Sequence, residues 1–166
     1  MNLKAFPILL VSALFLNGCA KSSEDQVARN VDVSRIVAEE VWSKGRVELI
    51  EDFFVTDYIG HFPAGTFHGR KGLTERVLAH RKAFPDWTEE IVDTIAQGDR
   101  VAIRFISRGT NRGEFLGNPP TGNRVEISEV CIYRMSNGQI AEQWVYPDIL
   151  SMQQQLASTD LVGAKF

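Results

Sequence analysis

The hydrophobic positions of this chain follow a helical spacing in its first half. In residues 31–44, apolar side chains recur at helical intervals, and Gly45 follows as a stop signal. A short second helix is predicted from Arg46, followed by an irregular stretch over residues 56–63 and a third helix over residues 71–84. The side chains of the third helix that are predicted to face inward are Leu73, Val77, Leu78 and Phe84.

The second half of the chain changes to the alternating pattern of strands. Strands are predicted over residues 87–96, 100–110, 124–135 and 139–146, and a last helix over residues 149–156. The pair Asn137-Gly138 predicts a tight hairpin, because it accepts the positive φ of a primed turn. Helices followed by a series of long strands predict an α+β fold, with N-terminal helices packed on one face of a curved antiparallel sheet.

The N-terminus carries the pattern of an export signal. Lys4 precedes an apolar run over residues 5–16, which is too short to span a bilayer but suits the apolar region of a signal peptide. The run ends in Leu-Asn-Gly-Cys, which resembles the lipobox of bacterial lipoproteins, so Cys19 is the predicted lipidation site. The alternative is an ordinary signal peptide with a chance cysteine.

These signals divide the chain into four parts. They are a signal peptide over residues 1–18, a tether over residues 19–30, a domain over residues 31–158 and a tail over residues 159–166. The tether is polar, although its second half could already be helical. The predicted location is the cell envelope, with a lipid anchor at the periplasmic face of the outer membrane in preference to the inner one. Lipidation would leave Cys131 as a free thiol.

Composition and charge argue against several kinds of partner. The 166 residues are 44% apolar and 23% charged, as in an ordinary globular protein. A net charge of −3 without a basic run does not suit nucleic acid. The histidines lack the mutual spacing of a metal site, and the glycines lack that of a phosphate loop. We therefore expect no metal and no cofactor.

Asp148 stands where the last predicted strand ends and the last helix begins. A carboxylate close to Trp144 and Tyr146 would be desolvated, and its raised pKa would make it usable as a base. The alternative is that Asp148 is the N-cap of the helix. The two alternatives differ in geometry. A base must point into an apolar cavity, whereas an N-cap only accepts a hydrogen bond from a backbone N–H in the first turn of the helix.

Glu129 is a second candidate carboxylate. In the predicted strand over residues 124–135 it falls on the apolar face, between Ile127 and Cys131, and would need a partner if buried. Arg104 or Arg108 could supply the charge. The alternative is that Glu129 lies at a solvated strand edge.

Several short motifs follow one another along residues 33–156. They are Ala-Phe-Pro-Asp, Gly-Asp-Arg-Val-Ala, Gly-Thr-x-x-Gly-Glu-Phe, Pro-Pro-Thr-Gly and Trp-x-x-x-Asp. In this order and spacing the chain resembles the SnoaL-like polyketide cyclase, or ester cyclase, family. The resemblance implies a cone-shaped α+β barrel, shared with nuclear transport factor two, ketosteroid isomerase and scytalone dehydratase, in which sheet and helices enclose one pocket.

The resemblance also implies roles for single residues. Asp148 matches the aspartate that acts as general acid and base in an intramolecular aldol ring closure, without metal or cofactor. His61 matches a common family histidine and would polarise a substrate carbonyl. Asn111 stands where family cyclases often have histidine, so it can hydrogen-bond but has no acid–base role near neutrality. The connection over residues 109–122 becomes a crossover between barrel strands, with Phe115 and Leu116 turned toward the core or the pocket rim.

Three functions remain open for such a pocket. The first is an enzyme of the cyclase, lyase, isomerase or hydrolase kind acting on a small apolar carbonyl compound, and the second is a binder of small apolar molecules at the envelope. The third is an interaction module whose sheet forms a dimer, and a homodimer is the expected assembly. The predicted substrate contacts are Trp144, Tyr133, Trp87, Phe115, Tyr58, Arg104, Glu129 and Asn111.

Overall fold

The computed structural model describes residues 14–157, with side chains from residue 23 onward. The residues before 14 and after 157, with most of the predicted signal peptide and the whole predicted tail, lie outside the described part. The helices are α1 Leu14–Ile36, a π-helix Val37–Trp42, a 3-10 turn Val47–Leu49, α2 Ile50–Phe53, α3 Gly69–Ala83 and α4 Ile149–Ala157. The strands are β1 Phe54–Phe62, β2 Gly65–His68, β3 Thr88–Gln97, β4 Arg100–Thr110, β5 Arg124–Ser136 and β6 Gln139–Pro147.

The strands form one curved, mixed sheet of six strands in the order β2-β1-β6-β5-β4-β3. The four strands predicted in the second half of the chain are all present and form the antiparallel series β3 to β6. The predicted α+β fold is confirmed, but the sheet is not antiparallel throughout, because β1 pairs in parallel with β6. Most of the stretch predicted to be irregular, residues 56–63, belongs to β1.

The helices cover one face of this sheet. The buried face of β5 carries every second residue from Val125 to Met135, as its alternation predicted. The larger core cluster packs α3 and the π-helix against this face, and a smaller one places α4 and Phe84 over its far end. Within α3, Leu78 is half exposed although it was predicted to face inward, and His80 is buried.

Helix α1 begins well before residue 31, so the predicted tether is helical. Residues 23–29 of the helix are exposed apart from the half-buried Val27. The first buried residue is Asn30, whose Nδ2 donates to the carbonyl oxygen of Gly98 at 3.1 Å. Asn30 therefore ties α1 to the turn between β3 and β4. Across residues 14–157, no helix is both long enough and apolar enough to cross a membrane.

The long connection between β4 and β5 is fixed by Asn111. Its buried side chain donates from Nδ2 to the carbonyl of Gly113 at 2.8 Å and accepts at Oδ1 from the backbone N–H of Thr121, also at 2.8 Å. One amide thus joins both ends of the connection. At Gly113 a Cβ would lie 2.4 Å from the carbonyl oxygen of Lys82, so only glycine lets the connection approach the end of α3 this closely.

Replacing Asn111 should loosen this connection and destabilise the fold. We expect Asn111→Ala to lower the free energy of unfolding in urea by about 1–3 kcal/mol, because it removes both hydrogen bonds that the buried amide makes to the connection. The matched control is Asn118→Ala, at an exposed position of the same connection, which should cost less than about 0.5 kcal/mol. Equal stability of the two variants would contradict the role given to Asn111.

Candidate functional site

A pocket opens between α3, the turn from β1 to β2 and the covered face of the sheet. Its volume is about 690 Å³, counting the open mouth. Most of its wall is aromatic or aliphatic, and Phe115 and Leu116 of the long connection stand in that wall, as predicted. The polar residues of the wall are Arg76, His80, Glu89, Glu129 and Gln143.

Glu129 is buried in this wall, so the solvated-edge alternative does not hold. On β5 it lies opposite Phe105 of β4, and its Oε1 accepts a hydrogen bond from the hydroxyl of Ser107. Burial raises the pKa of Glu129, while the Ser107 hydroxyl and the charge of Arg76 favour its ionised form. The carboxylate therefore has a partner on the neighbouring strand and a cation on the helix above.

The cation is not one of the two arginines expected from the sequence. Arg104 is exposed on the other face of β4, because the register places Phe105 and not Arg104 opposite Glu129. Arg108 binds Glu90 at 2.6 Å and Glu126 at 2.7 Å. The charge comes instead from Arg76 of α3.

Glu89 is the second carboxylate of the pocket. It follows Trp87 by two residues along the edge strand β3, and Trp87 Nε1 donates to its Oε1 at 3.4 Å. Burial and the negative charge of Glu129 raise the pKa of Glu89 well above 4.5. Ser107 and Arg76 favour the ionised form of Glu129, whereas the charge of Glu129 disfavours that of Glu89, so Glu129 is the more acidic of the two carboxyls. Such a pair is equipped for both base and acid roles.

Helix α3 brings Arg76 and His80 to the pocket on adjacent turns. Burial and the charges of Arg76 and Arg81 lower the pKa of His80 to about 3, so its imidazole is neutral at physiological pH. Trp42, the last residue of the π-helix, lies beside it with 6.0 Å between the ring centroids. These residues, with Glu89, were missed from the sequence. The spacing of these residues could have identified them. Residues 73, 76, 77 and 80 lie on one side of α3, and residues 87 and 89 lie on the same side of an extended segment.

The comparisons with known proteins agree with this geometry. The family model for SnoaL-like polyketide cyclase matches residues 33–156. The chain belongs to the SnoaL-like polyketide cyclase family. A search of curated protein sequences gave no significant match.

Solved structures of similar proteins share the fold. IdmH from Streptomyces antibioticus, a candidate polyketide cyclase, is 30% identical with a TM-score of 0.68, and the alignment covers 78% of this chain and 99% of IdmH. A candidate SnoaL-like cyclase from Jannaschia is 20% identical with a TM-score of 0.75, covering 80% and 94% of the two chains. AclR from Streptomyces galilaeus, a candidate hydroxylase, is 25% identical with a TM-score of 0.68, covering 78% and 96%.

The pocket of this SnoaL-like protein contains half of the predicted substrate contacts. Tyr133, Trp87, Phe115 and Glu129 line it. Tyr58 is buried behind the wall, where its hydroxyl donates to Gln143 Oε1 at 2.8 Å and holds that amide in place. Gln143 Nε2 in turn donates to Cys131 Sγ at 3.1 Å, and burial raises the pKa of this thiol.

The remaining predicted contacts lie away from the pocket. Asn111 holds the long connection, and Arg104 is exposed. Trp144 and His61 lie on the uncovered face of the sheet, where their rings stack at 5.4 Å and His61 Nε2 lies 2.9 Å from Glu142 Oε1. The reason is alternation along β6, in which residues 143, 145 and 147 line the pocket and residues 142 and 144 face the other way. The predicted homodimer across this uncovered face stays a prediction.

Asp148 also lies outside the pocket. It is exposed, its Oδ1 accepts from the backbone N–H of Ser151 at 3.0 Å, and its own N–H donates to the carbonyl of Ser128 at 2.9 Å. This is the geometry of the helix-cap alternative. Within residues 14–157, no group of three or more His, Cys, Asp or Glu side chains is placed to hold a metal ion. The carboxyl groups that line the pocket are those of Glu89 and Glu129.

The raised pKa of Glu89 should appear as a pH dependence of stability. A carboxyl whose pKa is raised by folding binds its proton more tightly in the folded chain, so the free energy of unfolding falls as pH rises from 4.5 through the raised value. Glu89→Gln removes this loss and should gain stability relative to the parent chain as pH rises from 5 to 8, measured by urea unfolding. Glu90→Gln, an exposed neighbour on β3, is the control and should show no such gain. Parallel pH profiles of Glu89→Gln and the parent chain would refute the raised pKa.

Proposed function

We propose that this SnoaL-like protein is a cofactor-independent acid–base catalyst acting on a small apolar carbonyl compound, with Glu129 as base and Glu89 as acid. The observation that carries the proposal is the presence of two carboxyls with raised pKa values in one apolar pocket. Perturbed carboxyls in a concave apolar site are a mark of active sites. The raised values also suit proton transfer near neutral pH.

The protonation states suggest the order of events. The Glu129 carboxylate takes a proton from the carbon next to the substrate carbonyl, and the electron pair of that C–H bond moves toward the carbonyl oxygen. Glu89, still protonated, gives its proton to the oxygen on which negative charge develops. Glu129 then carries a proton, Glu89 is ionised and the substrate is an enol. Transfer of the proton from Glu129 to carbon and of the enol O–H proton to Glu89 restores both carboxyls. Ring closure and isomerisation of carbonyl compounds can both start with this step.

The positions of Glu129 and Glu89 suit these two roles. Ser107 and Arg76 both favour the ionised form of Glu129, which a base requires. Burial and the charge of Glu129 raise the pKa of Glu89, which favours its protonated form and suits it to the role of acid. Arg76 also offsets the charge of Glu129, so the pocket can take up an apolar molecule without an unpaired buried charge. In this proposal Asp148 caps α4 and His61 belongs to the uncovered face of the sheet.

The fold alone does not select the reaction. AclR, with a similar fold, is a candidate hydroxylase, and IdmH is a candidate cyclase. The second candidate function for this chain is therefore binding without turnover. It is favoured by the predominantly aromatic and aliphatic wall of the pocket, which would hold an apolar molecule even without proton transfer.

Turnover by carboxyl variants separates these two functions. The assay uses residues 20–166, which include all of residues 33–156, the region that the family model matches. We expect this chain to convert at least one of a panel of β-dicarbonyl, epoxide and lactone compounds, and Glu129→Gln to lower the rate by about 10²–10⁴-fold. Glu89→Gln should also lower it.

Asp148→Asn is the matched control, because asparagine caps a helix as well as aspartate does. It should leave the rate unchanged. Loss of turnover in Asp148→Asn with full activity in Glu129→Gln would overturn the assignment and restore Asp148 as the base. Binding of panel compounds without turnover would favour the binder.

We also propose that the chain is exported and anchored to the envelope by lipid on Cys19. The lipobox-like sequence supports this, and so does the exposed helical segment over residues 23–29, which leaves a spacer between the anchor and the buried Asn30. The twelve helical residues from Cys19 to Asn30 would span roughly 16 Å.

Metabolic labelling tests the anchor. Expressed in a Gram-negative host with a tagged palmitate analogue, the full chain should incorporate label and appear in the membrane fraction. Cys19→Ser should abolish the label, whereas Cys131→Ser should retain it, because the Cys131 thiol is buried in the domain. Label on Cys19→Ser, or an unlabelled parent chain, would exclude lipidation at Cys19.

A further inference from the structure

Three buried nitrogen atoms around the pocket have no hydrogen-bond partner. They are Trp42 Nε1, Arg76 Nε and His80 Nδ1. Trp42 and His80 are only 5% and 7% exposed. Buried polar groups are nearly always paired, so each of these atoms requires an explanation.

The three nitrogens belong to one cluster. Trp42 and His80 have their rings 6.0 Å apart, and Arg76 precedes His80 by one turn of α3. The Arg76 guanidinium also lies 5.5 Å from the ring centre of Phe62, which is itself 5.8 Å from Trp42. All four residues line the pocket. The missing partner would therefore enter from the pocket.

The chemistry of these groups limits what that partner can be. The N–H groups of Trp and Arg only donate hydrogen bonds, so the partner has to be an acceptor. His80 is neutral and can add a third donor when its proton is on Nδ1. An oxygen with two lone pairs, such as that of a carbonyl, is suited to this cluster.

The charges of the pocket favour a neutral acceptor over an anion. The charge of Arg76 already acts on Glu129, and Glu89 adds a second acidic group. A carboxylate ligand would lie close to the Glu129 carboxylate without a cation of its own, which makes its burial costly. A ketone carries no such charge. The aromatic side chains of Phe62, Trp87 and Phe115 in the wall suit a planar molecule.

We propose that Trp42, Arg76 and His80 form an oxygen-binding subsite that receives the carbonyl oxygen of a neutral, planar ketone. This deepens the proposed function and rests on it, since the same pocket is used. The donors would also stabilise the negative charge that develops on this oxygen when Glu129 takes the proton from the neighbouring carbon. Trp42 and Arg76 thereby become binding residues that sequence analysis did not identify.

Binding of three matched probes tests the subsite. The probes are acetylnaphthalene, isopropenylnaphthalene with CH₂ in place of the carbonyl oxygen, and naphthoate, all substituted at the same ring position. By titration calorimetry with residues 20–166 at pH 7.5, the ketone should bind about tenfold more tightly than the alkene. It should also bind more tightly than the carboxylate. Equal affinity of ketone and alkene would overturn the proposal, since water would then be the partner, and so would preference for naphthoate.

Variants of Trp42 and Arg76 test whether the preference for the ketone depends on their N–H groups. Trp42→Phe keeps a ring and removes the N–H, and should weaken ketone binding about fivefold while leaving alkene binding within about twofold. Trp144→Phe, an indole on the uncovered face, is the control and should change neither. Equal weakening of both probes in Trp42→Phe would indicate a packing role and overturn the assignment. Should Trp42→Phe fail to fold, Arg76→Lys keeps the charge near Glu129, removes Nε–H and should show the same selective loss.

The outcome is independent of catalysis. Preference for the ketone in the parent chain, together with unchanged turnover in Glu129→Gln, would leave the subsite standing while the proposed acid–base function fails. Loss of turnover in Glu129→Gln, together with equal binding of ketone and alkene by the parent chain, would support the acid–base function and overturn the subsite.

Discussion

A buried carboxylate on the covered face of the sheet is the constraint around which this molecule is arranged. Glu129 interrupts the apolar side of β5, and a carboxylate in that position is costly unless it is hydrogen-bonded and faced by a cation. Ser107 on β4 meets the first need, and Arg76 on α3 meets the second. Because the cation comes from the helix layer, charged groups of the helix and of the sheet face the same pocket.

The residues around the pocket restrict how far its walls can move. Tyr58 fixes Gln143, and Gln143 in turn contacts Cys131, so three buried side chains form a continuous chain of hydrogen bonds behind the sheet face. On the opposite side, Asn111 closes the connection that carries Phe115 into the wall. A site that relies on the relative positions of Glu89 and Glu129 requires such rigid support.

Sequence periodicity predicted the fold and one part of the site. The alternation along β5 identified Glu129 as inward-facing, but it could not identify the partner, because the cross-strand neighbour depends on a register that joins Phe105 to Glu129. Arg76 and His80 were overlooked because charged positions on an amphipathic helix usually face solvent. The first strand was missed because its parallel pairing with β6 is long-range and its register shifts between Phe54 and Ile59.

Alternation along β6 also explains why Asp148, which was predicted to be the base, lies outside the pocket. Residues 143, 145 and 147 of β6 face the pocket, so Asp148 comes one position too late to join them and its side chain is committed to Ser151. The acidic groups of the pocket lie instead on β3 and β5, and the unpartnered donors lie on α3 and the π-helix. A substrate between them would have its C–H bond toward Glu129 and its oxygen toward Glu89 and the helix donors. The rate of proton transfer would then depend on the distance between the sheet and the helices, and Glu129 and Arg76 face each other across that distance.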